Sequence, residues 1–210
     1  MIPAKEEWMD ALNKRHGAQL QNRFSSATVA ICGLGGLGSN IAIALARAGI
    51  GKLLLIDFDR VDITNLHRQQ YKATQIGRHK AEALAENLLE IAPYIETEVI
   101  TKQITEDNVS SLLKNADVIC EAFDNAESKA MLVNTLLEQF PNAYMVAASG
   151  MAGIDTPNTI QTRKITKRFY LCGDEESDVA DAIGLVAPRV MLCAAHQAHA
   201  VLRILANKFE

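Results

Sequence analysis

Three glycines, two acids and a run of polar side chains between residues 28 and 80 are the part of this sequence best suited to chemistry. The stretch TVAICGLGGLGSNIAIALARAGIGKLLLIDFD (28–59) sets Gly33, Gly35 and Gly38 at G-x-G-x-x-G spacing, after an apolar run and before a small-residue segment. In a strand–turn–helix, the first glycine permits a tight turn and the second lets backbone approach a phosphate. The third lets helix and strand pack closely. The helix start adds unpaired N–H groups and a positive dipole end. Asp57 stands 19 residues beyond Gly38, at the end of the second apolar run, where a carboxylate can accept both hydroxyls of a ribose. These residues fit a nucleotide and leave its identity open: NAD for hydride transfer and ATP for adenylyl transfer both suit the loop.

The residues after Asp57 separate the two. The segment DFDRVDITNLHRQQYKATQIGRHK (57–80) gathers Asp59, Asn65, Arg68, Gln69 and Lys80. An NAD(P)-dependent oxidoreductase leaves such a cluster without work. Adenylyl transfer needs positive charge at the α-phosphate and at the leaving pyrophosphate. Taken singly, Arg68 and Lys80 could be solvated surface charges, and Asp124 in EAFDNAESKAMLVN could be a helix cap.

The pattern DFD-x-V-x-x-x-NL-x-RQ, preceded by G-x-GGLGS and followed by G-x-x-K, resembles the ubiquitin-activating-enzyme superfamily. More narrowly, it is similar to the bacterial ThiF/MoeB-type adenylyltransferases that activate sulfur carriers, most of all a short thiamine-type form. EAFDNAESKAMLVN (121–134) resembles the family's D-x-x-DN segment, and GLVAPRVMLCAAHQAHAVLRIL (184–205) its closing helix. The likeness runs from Thr28 to Leu205.

The resemblance implies that Gly33, Gly35, Gly36 and Gly38 line ATP, that Asp57 binds the ribose, and that Asp59 sits beside it. Asn65, Arg68 and Lys80 would contact the phosphates and Gln69 would orient nearby. Asn125 would shape the adenosine end, and Asp124 would bind Mg2+. Arg15, or else Arg23, would cross from a partner subunit of a homodimer. The implied reaction is attack on the α-phosphate by the C-terminal Gly-Gly carboxylate of a small ubiquitin-like sulfur carrier. It gives an acyl-adenylate and pyrophosphate, with Arg68, Lys80 and Asp124 catalytic. A carboxylate is already ionised near neutral pH, so no general base is needed. Activation of the molybdopterin carrier or a tRNA residue, and a non-catalytic scaffold for a ubiquitin-like partner, are the other readings.

Two features of longer relatives are missing. The sequence has neither C-x-x-C pair, so no structural zinc is expected. No cysteine stands near Ala180, ahead of Gly184, so adenylylation alone is expected, with sulfur brought by a separate donor protein. Of the four cysteines, Cys32, Cys120 and Cys193 read as buried thiols, and Cys172, in FYLCGDEESD, as the one exposed in a polar loop.

The elements that must position these residues follow from periodicity and breakers. Residues 4–24 read as helix in two pieces broken at Gly17. Strands are expected at 28–32, 52–58, 96–101, 117–121 and 143–148, with helices at 39–48, 78–91, 108–113 and 127–139 between them. This alternation predicts a Rossmann-like α/β fold, a mostly parallel sheet with helices on both faces. After residue 149 the texture changes to strand-like pieces around 159–165, an acid-rich loop and a closing helix at 188–206. This predicts an antiparallel extension that binds the carrier (149–210), appended to a nucleotide-binding core (28–148) in one domain (1–210).

Bulk properties agree. A chain of 210 residues supports one sizeable α/β domain. A net charge of −4 with no basic block argues against general nucleic-acid binding. The N-terminal segment is too acidic for a signal peptide, and no apolar run is long enough to span a membrane. A cytoplasmic protein is expected.

Overall fold

Short runs of aliphatic residues alternate with amphipathic segments along this chain, and the computed structural model pairs the runs into one sheet. Residues 2–140, 142–180 and 183–208 are described. Asp181 and Ala182, in the cysteine-free stretch ahead of Gly184, lie outside them, as do residues 1, 141, 209 and 210.

The elements in chain order are α1 (Lys5–His16), α2 (Ala18–Ser26), β1 (Thr28–Cys32), α3 (Gly36–Arg47), β2 (Lys52–Ile56), α4 (Lys80–Ile91) and β3 (Glu96–Ile100). Next come α5 (Glu106–Leu113), β4 (Val118–Glu121), α6 (Ala126–Gln139), β5 (Tyr144–Ala148), β6 (Gln161–Lys164), β7 (Phe169–Gly173) and α7 (Ala187–Leu205). The sheet order is β3-β2-β1-β4-β5-β7-β6. Every pairing is parallel except β6 with β7. The chain winds outward from β1 through β2 to β3, then crosses back to β4. The order therefore reverses between β1 and β4, and in an open parallel sheet a crevice opens at such a point, outside the carboxyl ends of the strands.

Successive residues of β1 serve opposite faces, as strand geometry demands. Val29 and Ile31 join the core beneath α3, α4 and α7, while Ala30 and Cys32 join the core beneath α5 and α6. Burial on both faces explains the near-continuous apolar runs of β1, β2 and β4. At the rim, β3 carries Lys52-bound Glu96 and Glu98, and β6 is exposed throughout, as suits edge strands.

Three differences from the sequence expectation bear on the site and on Cys172. Helix α3 begins at Gly36, not Ser39, because Gly36, Leu37 and Gly38 form its first turn. Strand β2 ends at Ile56, releasing Asp57 and Phe58 from the sheet. The segment FYLCG, read as part of a loop, is strand β7, paired with both β5 and β6. Cys172 is accordingly fully buried rather than exposed, and burial pushes its thiol up to about 11. Cys32, Cys120 and Cys193 are buried and free as expected.

Candidate active site

The first turn of α3 is built by backbone contacts that only glycine allows. Gly33 adopts φ +91°, and a Cβ there would stand 2.8 Å from the Ala122 carbonyl at the end of β4. A Cβ on Gly38 would lie 1.9 Å from the Gly33 carbonyl, so loop and helix touch backbone to backbone. The glycine loop thus rests against the exit of β4, across the point where the strand order reverses.

The segment after β2 folds over this turn. Ser39 Oγ donates to the Gly35 carbonyl (2.6 Å) and accepts from the Gln70 N–H (3.1 Å). Asn40 Nδ2 donates to the carbonyls of Gly36 (2.7 Å) and Arg68 (3.3 Å). Tyr71 is buried, and its hydroxyl donates to the Leu34 carbonyl (2.7 Å). These anchors bring the Arg68 side chain within 3.5 Å of a Cβ position on Gly36, and Gln69 Nε2 within 3.7 Å of one on Gly35. Arg68 Nε and Gln69 Oε1 are buried without a hydrogen-bond partner. Buried polar atoms are rarely left so, and these two stand beside the glycine loop; Asn13, His79, Arg189 and Gln197 hold such atoms as well. Asn65 lies half-buried at the end of a single 3₁₀ turn capped by Asp62, its carbonyl receiving the N–H groups of Arg68 (3.2 Å) and Gln69 (3.1 Å).

Asp57 holds the loop from the other side. Its Oδ2 accepts the Leu34 N–H (2.7 Å) and its Oδ1 the Asp59 N–H (2.7 Å). Burial raises its carboxyl above the ordinary carboxylate range, against the pull of Lys80 and the two N–H donors. Each oxygen keeps a second lone pair, sufficient for a ribose diol. Lys80, buried at the first position of α4, donates from Nζ to Asp59 Oδ2 (2.8 Å). Asp59, half exposed, fixes this lysine.

Asp124 stands exposed on the loop leaving β4. It does not cap α6: Asn125 does, accepting the Ser128 N–H at 2.8 Å. Asn125 is exposed beside it, so Asp124, Asn125 and the glycine loop share the carboxyl end of the sheet. Among the described residues no cluster of three or more His, Cys, Asp or Glu could hold a metal alone. A single carboxylate fits Mg2+, which usually takes one or two protein carboxylates, with substrate phosphates and water completing its shell.

The two N-terminal arginines do not join this group. Arg15 is exposed near the end of α1, next to His16, which bonds Gln21. Gln21 in turn donates to the Gly49 carbonyl (3.0 Å), beyond the far end of α3 from the glycine loop. Arg23 donates to the Ala206 carbonyl (3.1 Å) behind α7.

Sequence reasoning missed two buried ion pairs behind the site, Glu121 with Lys129 and Arg189 with Asp174. The signal for the first was a charge closing the apolar strand DVICE, with a lysine eight residues on.

A doubly wound sheet with a glycine loop and polar arch at its reversal point defines a Rossmann-like α/β protein. The chain matches the ThiF family profile over residues 10–210 and belongs to that family. It is 34% identical over 117 residues to the adenylyltransferase and sulfurtransferase MOCS3 of Caenorhabditis briggsae, covering 55% of this chain and 29% of that protein. It is 32% identical over 154 residues to the tRNA threonylcarbamoyladenosine dehydratase of Escherichia coli (strain K12), covering 72% of this chain and 57% of that protein. With ubiquitin-like modifier-activating enzyme 5 of Caenorhabditis elegans the figures are 37% over 134 residues, 59% of this chain and 32% of that enzyme. The matched stretch thus spans 29%, 57% and 32% of these relatives, less than two thirds of each. Its fold is that of the E. coli tRNA N6-threonylcarbamoyladenosine dehydratase crystallised with ATP: the TM-score is 0.87 at 23% identity, over 99% of this chain and 98% of that one.

Proposed function

We propose that this chain is an ATP- and Mg2+-dependent adenylyltransferase that activates a carboxylate as an acyl-adenylate. The observation carrying this reading is the convergence, at one end of the sheet, of the glycine loop, Asp57, Arg68, Gln69 and Lys80 with Asp124, two of whose members hold buried polar atoms without partners. ATP would lie across the loop with its ribose on Asp57 and its phosphates toward Arg68, Asn65 and Lys80. Mg2+ at Asp124 would supply charge neutralisation on the phosphates. The protein's own share is positioning and fixed charge. Arg68 and Lys80 offset charge on the transferring and leaving phosphates, and the attacking carboxylate needs no base. Lys80 is already oriented by Asp59, so little reorganisation accompanies binding.

The substrate we favour is the Gly-Gly tail of a small ubiquitin-like sulfur carrier, as in thiamine-type sulfur transfer, with sulfur delivered by a separate protein. Relatives named as activators of ubiquitin-like modifiers and as MOCS3 support it. So do the net charge of −4 and the exposed apolar residues Phe58, Ile63, Ile154, Val179 and Met191, which suit a protein better than a polyanion. A carboxylate on a modified tRNA is the second reading, favoured by the likeness to the E. coli dehydratase.

Pyrophosphate exchange into ATP tests both. The expected result is exchange that depends on a Gly-Gly carrier and falls by roughly 100-fold or more in Arg68→Ala and Asp124→Ala. Exchange that depends on tRNA instead would replace the first substrate by the second. ATP binding without exchange would leave a scaffold, and NADH binding in place of ATP would return the loop to redox chemistry.

A further inference from the structure

Behind the glycine loop lies a buried ion pair that the proposed chemistry does not use. Glu121, the last residue of β4, is 1% exposed. Lys129, in the first turn of α6, donates from Nζ to both of its oxygens (2.9 and 3.0 Å) and to the Ala148 carbonyl at the end of β5 (3.2 Å). Glu121 Oε1 also accepts the Phe123 N–H (2.7 Å), inside the loop that carries Asp124. From behind, Gln197 on α7 donates to the Glu121 carbonyl (3.0 Å), and Ala122 N–H reaches back to the Cys32 carbonyl (2.9 Å). Residues 121–123 are therefore tethered at both backbone and side chain, and Ala122 abuts Gly33.

Fold stability alone does not account for this pair. Glu121 is withdrawn from water while Lys129 keeps 26% of its side chain exposed; taking a carboxylate out of water costs about what its attraction to such a lysine returns, and apolar replacements of buried pairs are often neutral or stabilising. What an apolar pair cannot supply is an acceptor for the Phe123 N–H and a bridge from β4 to β5. We infer that Glu121 and Lys129 are positioning residues, fixing the loop that presents Asp124 to Mg2+ beside the glycine loop. This inference rests on the proposed function for its metal and nucleotide.

The test uses the full chain, with ATP alone and ATP with Mg2+ as probes. Lys129→Met by itself strands a buried carboxylate and can fail to fold, so the decisive variant is the double replacement E121L/K129M, with Lys129→Arg as the conservative control. The double variant is expected to keep its thermal transition and to bind ATP alone within about threefold of the parent. It is expected to need about 10- to 100-fold more Mg2+ for half-maximal tightening of ATP binding, as when a metal ligand loses its supporting contacts. Lys129→Arg keeps the charge and can reach both Glu121 oxygens with a forked pair of donors, so it is expected to stay within about threefold of the parent. Amide hydrogen exchange at Phe123 should quicken in the double variant by about tenfold or more while the centres of β1 and β4 stay protected. A folded double variant with unchanged Mg2+ dependence overturns the inference, whatever happens at Phe123. If the parent chain binds no ATP, the functional reading fails instead. The Phe123 exchange then decides the positioning role: faster exchange upholds it and unchanged exchange removes it.

Discussion

Gly35 and Gly38 stand three residues apart in one loop, yet a methyl group at each meets different surroundings. At Gly38 it would sit 1.9 Å from a backbone carbonyl, which cannot move without parting α3 from β1. At Gly35 its nearest neighbour would be Gln69 Nε2 at 3.7 Å, an ordinary contact. Gly38→Ala is therefore expected to lower stability by about 1–3 kcal/mol, seen as a lower denaturation midpoint. Gly35→Ala should keep the parent's midpoint and weaken ATP binding, since the methyl would occupy the side from which a phosphate approaches the backbone. Equal loss of stability in both variants would contradict this division. The spacing of the glycines was legible in the sequence because turn geometry restricts the residue type; that Asp57 also holds the loop through the Leu34 N–H was not. The roles of Ser39, Asn40 and Tyr71 were not, because a serine, an amide or a phenol is common anywhere and only the fold brings them to carbonyls far along the chain.

Among the elements, α7 does more than close the core. Arg189, at its first turn and 5% exposed, donates to the carbonyls of Asp155 (2.9 Å) and Thr156 (3.2 Å), to Thr159 Oγ1 (3.1 Å) and to Asp174 Oδ2 (2.5 Å). It thereby ties the loop after β5 to the loop after β7. Burial alone would raise the Asp174 carboxyl, but the N–H groups of Ser177 and Glu176, the Ser177 hydroxyl and Arg189 outweigh it and hold it at about 2. Because the folded value lies below the ordinary carboxylate value, its contribution is fully present above about pH 4 and is lost as pH falls toward 2. Asp174→Asn should flatten the stability profile in that window, measured by denaturant unfolding between pH 5 and 2. Arg189→Met should cost about 1–3 kcal/mol near neutral pH, since Asp174 loses its ion partner but keeps the Ser177 and Glu176 donors. The helix itself was readable from its apolar period. Strand β7 was not: its five residues precede a run of acids that reads as loop, and its strand character comes from β5 and β6 on either side. Reading it as loop also misplaced Cys172, whose burial follows from the strand.

At the scale of the whole molecule, one side chain expected at the site is not supplied by this chain to its own site. The mostly parallel sheet followed from the alternation of apolar runs and helices, whereas its strand order and reversal point came from the structure. Nothing in that alternation fixes where the first helix docks, and α1 lies toward the far end of α3, with Arg15 exposed. If Arg15 serves the γ-phosphate, it must reach the site of a second copy in a two-fold dimer. Mixing two inactive variants tests this. In a dimer of Arg15→Ala with Arg68→Ala, one site receives its own Arg68 and the other subunit's Arg15, while the second site lacks both. Random pairing makes half the dimers mixed, so exchange activity should recover to about a quarter of the parent's. A chain that uses Arg15 in its own site, or not at all, recovers nothing beyond the sum of the two variants. A chain that sediments as a monomer removes the crossing arginine altogether.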